Sequence, residues 1–219
     1  MNGFDRVRTR IAAAAKSVGR SPDEITLVVV TKERSVEEID ALYAQGQRHF
    51  GENRAQELAA KVGKLPDDIV WHFIGPLQTN KVRIVRPIVK LFHSLDRAEL
   101  IPAWVKGPGN PPPALIQVRI GEEETKHGVD PDDAITLGLK ARTLGVEVKG
   151  VMAIPPPVSD SSAAIPYFRE LASLGSELAQ RIPGAKELSM GMSDDFEAAV
   201  TEGATIVRIG RAIFEPVPN

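Results

Sequence analysis

The stretch ITLVVVTKERSVEEIDALYAQG, residues 25–46, decides the fold class because it contains one complete strand–helix unit. Its first seven residues are mostly β-branched and too few for a typical helix, a pattern that indicates a strand buried on both faces of a parallel sheet. Ser35 and Glu38 form a capping box that predicts a helix over the following residues, and Gly46 ends this helix. The segment therefore predicts a β-α unit whose strand ends near Lys32.

The same unit recurs along the whole chain. Further strands are predicted at residues 48–51, 69–74, 90–95, 114–120, 146–153, 187–190 and 205–209. A second capping box, Asp96 with Glu99, is predicted to start the helix after the fourth strand. Asp130-Pro131 is predicted to start the helix after the fifth strand. Eight units predict an α/β fold, a (β/α)8 TIM barrel with an extra N-terminal helix at 2–18, in a single domain, residues 1–219. A doubly wound open sheet is the alternative.

The composition is that of an ordinary globular protein and excludes several classes of function. The 219 residues carry 27 Lys and Arg against 29 Asp and Glu, which gives no electrostatic footprint for nucleic acid or an anionic membrane. The absence of cysteine excludes disulfides and thiolate metal sites. The longest apolar run, residues 25–30, is far shorter than the ~20 residues of a spanning helix. We therefore expect a cytoplasmic protein, with a monomer as the default state.

Lys32 is the first candidate for chemistry, because ligands of α/β barrels bind beyond the carboxyl ends of the strands. It is in phase with Val28 and Val30, so its stem is expected to pass through apolar surroundings with the amine at the barrel mouth. A partly desolvated amine loses its proton more easily, and the neutral amine attacks an aldehyde to form a Schiff base. The alternative is an ordinary surface lysine at a strand end.

The junctions after the last two strands predict a small anion site. Gly191 and Ser193 join the seventh strand to its helix, and Gly210-Arg211 joins the eighth strand to a short helical turn. In this fold, these two loops frequently bind phosphate through unpaired backbone amides and the helix dipole. Ser193 adds a hydroxyl donor. Its alternative role is helix capping, which Asp194 with Glu197 would also satisfy.

Two further polar residues lie at strand ends or inside a strand. Arg208 lies between apolar neighbours in the eighth strand, where an unpaired guanidinium would be costly to bury. Its acceptor is either a carboxylate such as Glu52, or a heterocyclic nitrogen or anion of a ligand. Asn53 follows the second strand, where it caps a helix or contacts a ligand.

Three histidines raise the alternative of a metal-dependent barrel hydrolase. His49, His72 and His93 fall in the second, third and fourth strands. Their spacing matches no His-X-His or His-Glu-X-X-His pattern, and lone histidines within apolar strands are usually hydrogen-bonded core or lining residues. No metal ligand is therefore assigned.

Five segments, read together, closely resemble the YggS/PROSC family, the pyridoxal phosphate homeostasis proteins. The resemblance covers about residues 27–214, and several independent blocks occur in the same order. The segments are TK at 31–32, HFGENRAQE at 49–57, WHFIGPLQTNK at 71–81, FHSLDR at 92–97 and SMGMSDDFEAAVTEGATIVRIGRAIF at 189–214.

The resemblance implies a barrel like the N-terminal domain of alanine racemase, holding pyridoxal 5'-phosphate (PLP) as an internal aldimine on Lys32. It further implies phosphate contacts from Ser193 and the Gly210-Arg211 backbone, a ring-nitrogen contact from Arg208 and a cofactor contact from Asn53. Arg211 stands where a threonine commonly touches the phosphate, so the hydroxyl contact is in question; the amide contact survives any side chain, and added charge from the guanidinium is the alternative.

An arginine at the ring nitrogen limits the chemistry, because a guanidinium can only donate to an unprotonated pyridine and leaves the ring a poorer electron sink. The implied function is therefore a reversible PLP carrier in intracellular PLP homeostasis, with PLP-accepting apoenzymes as candidate partners and no robust catalytic activity. Two alternatives stay open. One is a one-base PLP-dependent amino-acid racemase, and the other is a phosphosugar-binding barrel enzyme that forms imines at Lys32.

Overall fold

The structure is a computed structural model and describes residues 2–121, 127–158 and 160–215. Its strands form one closed, parallel barrel in the order β1 to β8, with β8 pairing back onto β1. This closure confirms the (β/α)8 TIM barrel and rules out the open sheet. The strands are β1 Thr26–Val30, β2 His49–Glu52, β3 Val70–Phe73, β4 Leu91–Leu95, β5 Ala114–Gln117, β6 Val148–Met152, β7 Glu187–Ser189 and β8 Ile206–Ile209.

Helices alternate with the strands, as the sequence predicts, and α1 precedes the barrel. They are α1 Gly3–Ser17, α2 Val36–Ala44, α3 Ala55–Val62, α4 Val82–Val85, α5 Leu100–Val105, α6 Pro131–Thr143, α7 Ile165–Arg181, α8 Phe196–Thr201 and α9 Arg211–Phe214. The predicted capping box of α2 is present, with the Glu38 amide donating to Ser35 and the Ser35 amide donating to Glu38. Over the described residues, no helix is both long enough and apolar enough to cross a membrane.

Two apolar layers hold the barrel together. The larger one lies between the strands and the surrounding helices and includes Phe50, Phe92 and Trp104, whose rings are fully buried. The smaller one contains Val28, Leu91, Leu115, Met152 and Ile206, which come from five strands and fill the barrel interior. Since side chains alternate along a strand, the interior layer continues toward the barrel mouth with every second residue, and this positions the site.

Two predicted helix starts differ from the structure. Asp96 and Glu99 do not form a capping box, because Asp96 accepts a hydrogen bond from Arg97 at 2.6 Å and α5 begins only at Leu100. Asp130 is the N-cap of α6, as predicted, but its carboxylate pairs with Arg119 instead of capping the helix. In both cases a neighbouring arginine takes the carboxylate that the pattern assigns to backbone amides.

The fifth strand is also shorter than the predicted 114–120. β5 ends at Gln117, and the next residue, Val118, forms an isolated bridge with Val129. The returning chain thus takes over the backbone hydrogen bonds that would extend the strand.

Candidate functional site

Lys32 lies in a tight turn at the carboxyl end of β1, outside the strand itself. The Arg34 amide donates to the Thr31 carbonyl at 3.0 Å and closes a turn around Lys32 and Glu33. The Lys32 side chain is exposed and forms no hydrogen bond or ion pair with the described residues. The expectation that its stem passes through apolar surroundings is wrong, because β1 ends at Val30 and the turn carries Lys32 off the strand.

A second lysine, Lys61 of α3, is buried next to this turn. Its Nζ donates to the Thr31 carbonyl at 2.7 Å, to Glu52 Oε1 at 2.6 Å and to Glu57 Oε1 at 2.7 Å. All three ammonium hydrogens are therefore used, and Lys61 has no lone pair available for attack on a carbonyl. The sequence analysis missed this residue. The signals that point to it are its i,i+4 spacing from Glu57 and its place on the buried face of α3.

Arg208 points into the barrel interior and is held by β7 and by the residue that follows β6. Its Nη1 donates to Ser189 Oγ at 2.6 Å and its Nη2 donates to the Ala153 carbonyl at 2.8 Å. The predicted carboxylate partner Glu52 is wrong, because that side chain is taken by Lys61. Burial lowers the pKa of Arg208 to about 10, so the guanidinium stays charged at neutral pH. Three of its five N–H groups are left for other acceptors.

The three strand histidines form a series that continues from this arginine. His93 Nδ1 lies 2.9 Å from Ser189 Oγ, His93 Nε2 lies 2.8 Å from His72 Nδ1, and His72 Nε2 lies 3.0 Å from His49 Nδ1. Burial lowers the pKa of His72 to about 3 and that of His93 well below its usual value, so both are neutral. The histidines are thus hydrogen-bonded lining residues. In the described ranges, no group of three or more potential ligands is arranged to hold a metal ion.

The loops after β7 and β8 meet at the barrel mouth. The Ala212 amide of α9 donates to Ser193 Oγ at 3.2 Å, which ties the two loops together. Gly210 lies against the end of β1, where a Cβ would stand 3.2 Å from the Val30 carbonyl oxygen. Gly191 has a φ of 92°, and a Cβ there would stand 2.6 Å from a side chain of α8, so only glycine fits this position.

The capping roles suggested for this region are wrong. Ser193 accepts from an amide of α9, and Asp195 is the N-cap of α8, with its carboxylate accepting from the Met192 amide at 2.6 Å. Asp194 pairs with Arg211 on the surface, and Glu197 pairs with a residue of α1. The Arg211 guanidinium is therefore already neutralised by a carboxylate of the neighbouring loop.

Asn53 does not cap a helix. The N-cap of α3 is Arg54, and Asn53 Oδ1 is buried without a hydrogen-bond partner among the described residues. A cleft of about 790 Å³ opens beside Asn53; its wall includes Phe73, Leu77, Lys81, Arg97 and His127. Since buried polar atoms are nearly always paired, this unpaired atom at the barrel mouth is suited to a ligand contact.

The candidate residues thus come from strand ends that are neighbours in the closed barrel. Lys32 follows β1, Asn53 follows β2, and the two glycine loops follow β7 and β8. Arg208 lies on β8 in register with Val28 of β1. The arrangement combines an unpaired primary amine, a charged donor in the interior and a pair of loops rich in backbone amides.

Comparisons with known proteins identify one family that covers nearly the whole chain. A family model described as alanine racemase, N-terminal domain, matches residues 4–218. The pyridoxal phosphate homeostasis protein of Vibrio cholerae is 39% identical over 220 residues, which cover 96% of this chain and 93% of that protein.

Two solved structures are similar along nearly their whole length. An unknown protein from Bifidobacterium adolescentis has 36% identity and a TM-score of 0.92, covering 97% of this chain and 93% of that one. PipY of Synechococcus elongatus, solved with PLP bound, has 33% identity and a TM-score of 0.78, covering 93% of this chain and 99% of that one. This chain therefore belongs to the alanine racemase N-terminal domain family and, within it, to the pyridoxal phosphate homeostasis proteins.

Proposed function

We propose that this protein binds PLP reversibly at the barrel mouth, with Lys32 as the covalent attachment residue, and serves intracellular PLP homeostasis. Relatives that carry the homeostasis name and the PLP-bound PipY structure support the proposal. The observation that carries it is the contrast between Lys32, in the turn after β1, and Lys61 of α3, which contacts that turn. Lys61 uses every ammonium hydrogen in internal contacts, whereas Lys32 has no partner within the part of the chain that the structure describes.

The residues at the mouth match the chemical parts of PLP. The spare N–H groups of Arg208 suit the ring nitrogen, and the unpaired Oδ1 of Asn53 marks an amide free for a polar contact. The backbone amides of the Gly191–Ser193 and Gly210–Arg211 loops, with the Ser193 hydroxyl, suit the phosphate. Because Asp194 already pairs with the Arg211 guanidinium, we assign the phosphate contact of Arg211 to its amide.

PLP supplies an aldehyde carbon with which a primary amine condenses reversibly, with loss of water. The protein supplies the amine at Lys32 and excludes Lys61 from the same reaction. Arg208 keeps its proton at neutral pH, because its pKa is about 10, and so it donates to the ring nitrogen without protonating it. This donor-only contact favours holding the cofactor over carbanion chemistry.

The attachment residue is tested by mixing the protein with PLP, recording the absorbance of the adduct, reducing with borohydride and mapping the modified lysine. We expect one modified residue, Lys32, and loss of nearly all adduct in Lys32→Ala. Lys16→Ala, which changes an exposed lysine of α1, is the matched control and should leave the adduct unchanged. Modification of a different lysine in the wild-type protein would reject the site.

A carrier and a racemase differ in proton exchange at the substrate. Incubation of the PLP-loaded protein with a single enantiomer of alanine in heavy water should leave the Cα hydrogen in place. Deuterium incorporation at enzymic rates would replace the carrier by the one-base racemase. A sugar phosphate that displaces PLP from the loaded protein would instead favour the phosphosugar enzyme.

We further propose that apoenzymes accept PLP from this protein in the cytoplasm. Transfer is checked by mixing the PLP-loaded protein with a PLP-requiring apoenzyme and measuring recovery of its activity. Recovery faster than that given by an equal amount of free PLP supports direct transfer. Recovery no faster than that supports simple release.

A further inference from the structure

The backbone directly after Lys32 adopts a conformation that is unfavourable for a residue with a side chain. Glu33, the next residue, has a φ of 61°, and it is the one non-glycine residue with positive φ in the described part of the chain. The left-handed region is unfavourable for a residue with a Cβ, and a conformation of this kind persists only when the surrounding structure enforces it. Such backbone strain concentrates at functional sites, so the contacts that hold this turn are candidates for a functional role.

Charged side chains of the next β-α unit hold the backbone on both sides of Lys32. On the N-terminal side, Lys61 Nζ donates to the Thr31 carbonyl at 2.7 Å. On the C-terminal side, Glu57 Oε1 accepts from the Glu33 amide at 2.5 Å. The two peptide groups that flank Lys32 are therefore fixed, while the Lys32 side chain contacts no polar group of residues 2–121, 127–158 and 160–215.

These side chains form one connected cluster. Lys61 bridges the carboxylates of Glu52 and Glu57, and Glu52 also accepts from the Thr31 hydroxyl at 2.6 Å. Burial would raise the pKa of Glu57, but hydrogen bonds from Lys61 and from the Glu33 amide outweigh it and lower the pKa, which keeps this acceptor ionised. Burial raises the pKa of Glu52, which is fully buried, against the opposing contacts of Lys61 and Thr31.

A buried ion pair by itself is weak evidence for any role, because desolvation offsets much of the attraction between the charges. This cluster differs in where its hydrogen bonds go. Two of them end on backbone groups of the strained turn, so the cluster determines the path of the chain through Lys32 as well as pairing its own charges.

We propose that Glu52, Glu57 and Lys61 act as a clamp of positioning residues, which holds the turn at Thr31–Arg34 so that the Lys32 amine is presented for covalent attachment. The inference rests on the proposed function, because it concerns the same lysine. The clamp bonds to the backbone on both sides of Lys32 and leaves its amine without a contact among the described residues. It also keeps Lys61 itself out of the reaction.

The first readout of the clamp needs no cofactor. In the unliganded protein, hydrogen exchange at the Glu33 amide should be about tenfold faster in Glu57→Ala than in the wild type, because one hydrogen bond to a charged acceptor is lost. Glu57→Gln retains a side-chain oxygen as acceptor and should restore most of the protection. Glu177→Ala, which removes an exposed carboxylate of α7, is the matched control and should not change this amide.

The second readout is the initial rate of adduct formation at Lys32 with PLP. We expect a fall of about tenfold in Glu57→Ala, recovery in Glu57→Gln and no change in Glu177→Ala. A purely structural carboxylate would not show the same rank order in both readouts. Lys61→Met, which releases the Thr31 carbonyl, should reduce the rate as well, and Lys61→Arg should retain part of it.

The outcomes separate this proposal from the function on which it rests. If Glu57→Ala speeds exchange at Glu33 but forms the Lys32 adduct at the wild-type rate, the clamp is overturned and the PLP function stands. Unchanged exchange at Glu33 also overturns the clamp. If the wild-type protein forms no adduct at Lys32 while the exchange results are as expected, the PLP function fails and the clamp loses its role with it.

Discussion

A guanidinium group only donates hydrogen bonds, and this property of Arg208 determines the proton positions along the chain of side chains in the barrel. Ser189 is buried and accepts from Arg208, so the available acceptor for its hydroxyl hydrogen is His93 Nδ1, and this pairing leaves neither group unsatisfied. His93 then carries its proton on Nε2 and donates to His72, which in turn donates to His49. Every donor points away from Arg208, and the neutral state of the buried histidines is what makes this order possible.

Ser189 connects Arg208 to His93, so we expect its substitution to lower the free energy of unfolding. Ser189→Ala removes the partner of Arg208 Nη1 and of His93 Nδ1 at a buried position. We expect a loss of about 1.5–3 kcal/mol in the free energy of unfolding, measured by urea denaturation. Ser176→Ala, which removes an exposed hydroxyl of α7, is the control and should change it by less than about 0.5 kcal/mol. Equal effects of the two variants would contradict the series.

The neutral histidines also predict a pH dependence of stability. The pKa of His72 is 6.5 when unperturbed and about 3 in the folded protein, so between these values the unfolded chain binds the extra proton. Stability due to this group is therefore complete above about pH 6.5 and is lost as the pH falls toward 3. Between pH 7 and pH 5.5, we expect the wild type to lose about 1 kcal/mol more than His72→Gln in urea denaturation. An equal loss in both would mean that His72 is protonated in the folded state.

At the scale of elements, α1 connects the N-terminus of the chain to the loops that end the barrel. Its buried face, which includes Phe4, Val7 and Ile11, packs against α8 and α9. Arg6 Nη2 donates to the Ala212 carbonyl of α9 at 3.3 Å, and Arg10 pairs with Glu197 of α8 at 2.6 Å. Because α8 and α9 follow the two glycine loops, α1 supports the region proposed to hold the phosphate.

The substitution Phe4→Ala tests the packing of α1 against α8 and α9. Its side chain is 2% exposed, so Phe4→Ala removes a large buried ring and leaves a cavity between α1 and the barrel. We expect a loss of about 3–5 kcal/mol in the free energy of unfolding, measured by chemical denaturation. Val18→Ala at the end of the same helix, where the side chain is exposed, should cost less than about 0.5 kcal/mol. A small effect of Phe4→Ala would mean that α1 is only loosely attached.

At the scale of the whole molecule, the barrel surface offers little apolar area for a second copy. The large hydrophobic side chains exposed among the described residues are few: Val18, Leu139, Leu144 and Ile154. Stable interfaces bury a contiguous apolar centre, so we predict a monomer. Light scattering coupled to size exclusion should give a mass near 23.7 kDa. A mass near twice that value would contradict the prediction and would identify a dimer.

Local patterns along the sequence were sufficient for the order of elements and singled out the candidate site residues, whose contacts with a ligand stay a prediction. The β-branched run before Lys32, the Ser35–Glu38 capping box and the glycines after β7 and β8 each act over a few residues, so the sequence alone predicts a barrel with its ligand site at the strand ends. The family resemblance implied the roles of these residues toward PLP, which stay predictions.

Contacts between distant segments were decided only by the tertiary structure. Lys61 lies thirty positions from Thr31, and Ser189 lies 96 positions from His93, so no local pattern pairs them. Lys32 is exposed in a turn whose next residue, Glu33, has a positive φ and donates its amide to Glu57 of the next unit, and strand alternation alone therefore gives the wrong surroundings. Periodicity determines which face of an element is buried, whereas the partners of buried charges depend on which strands become neighbours when the barrel closes.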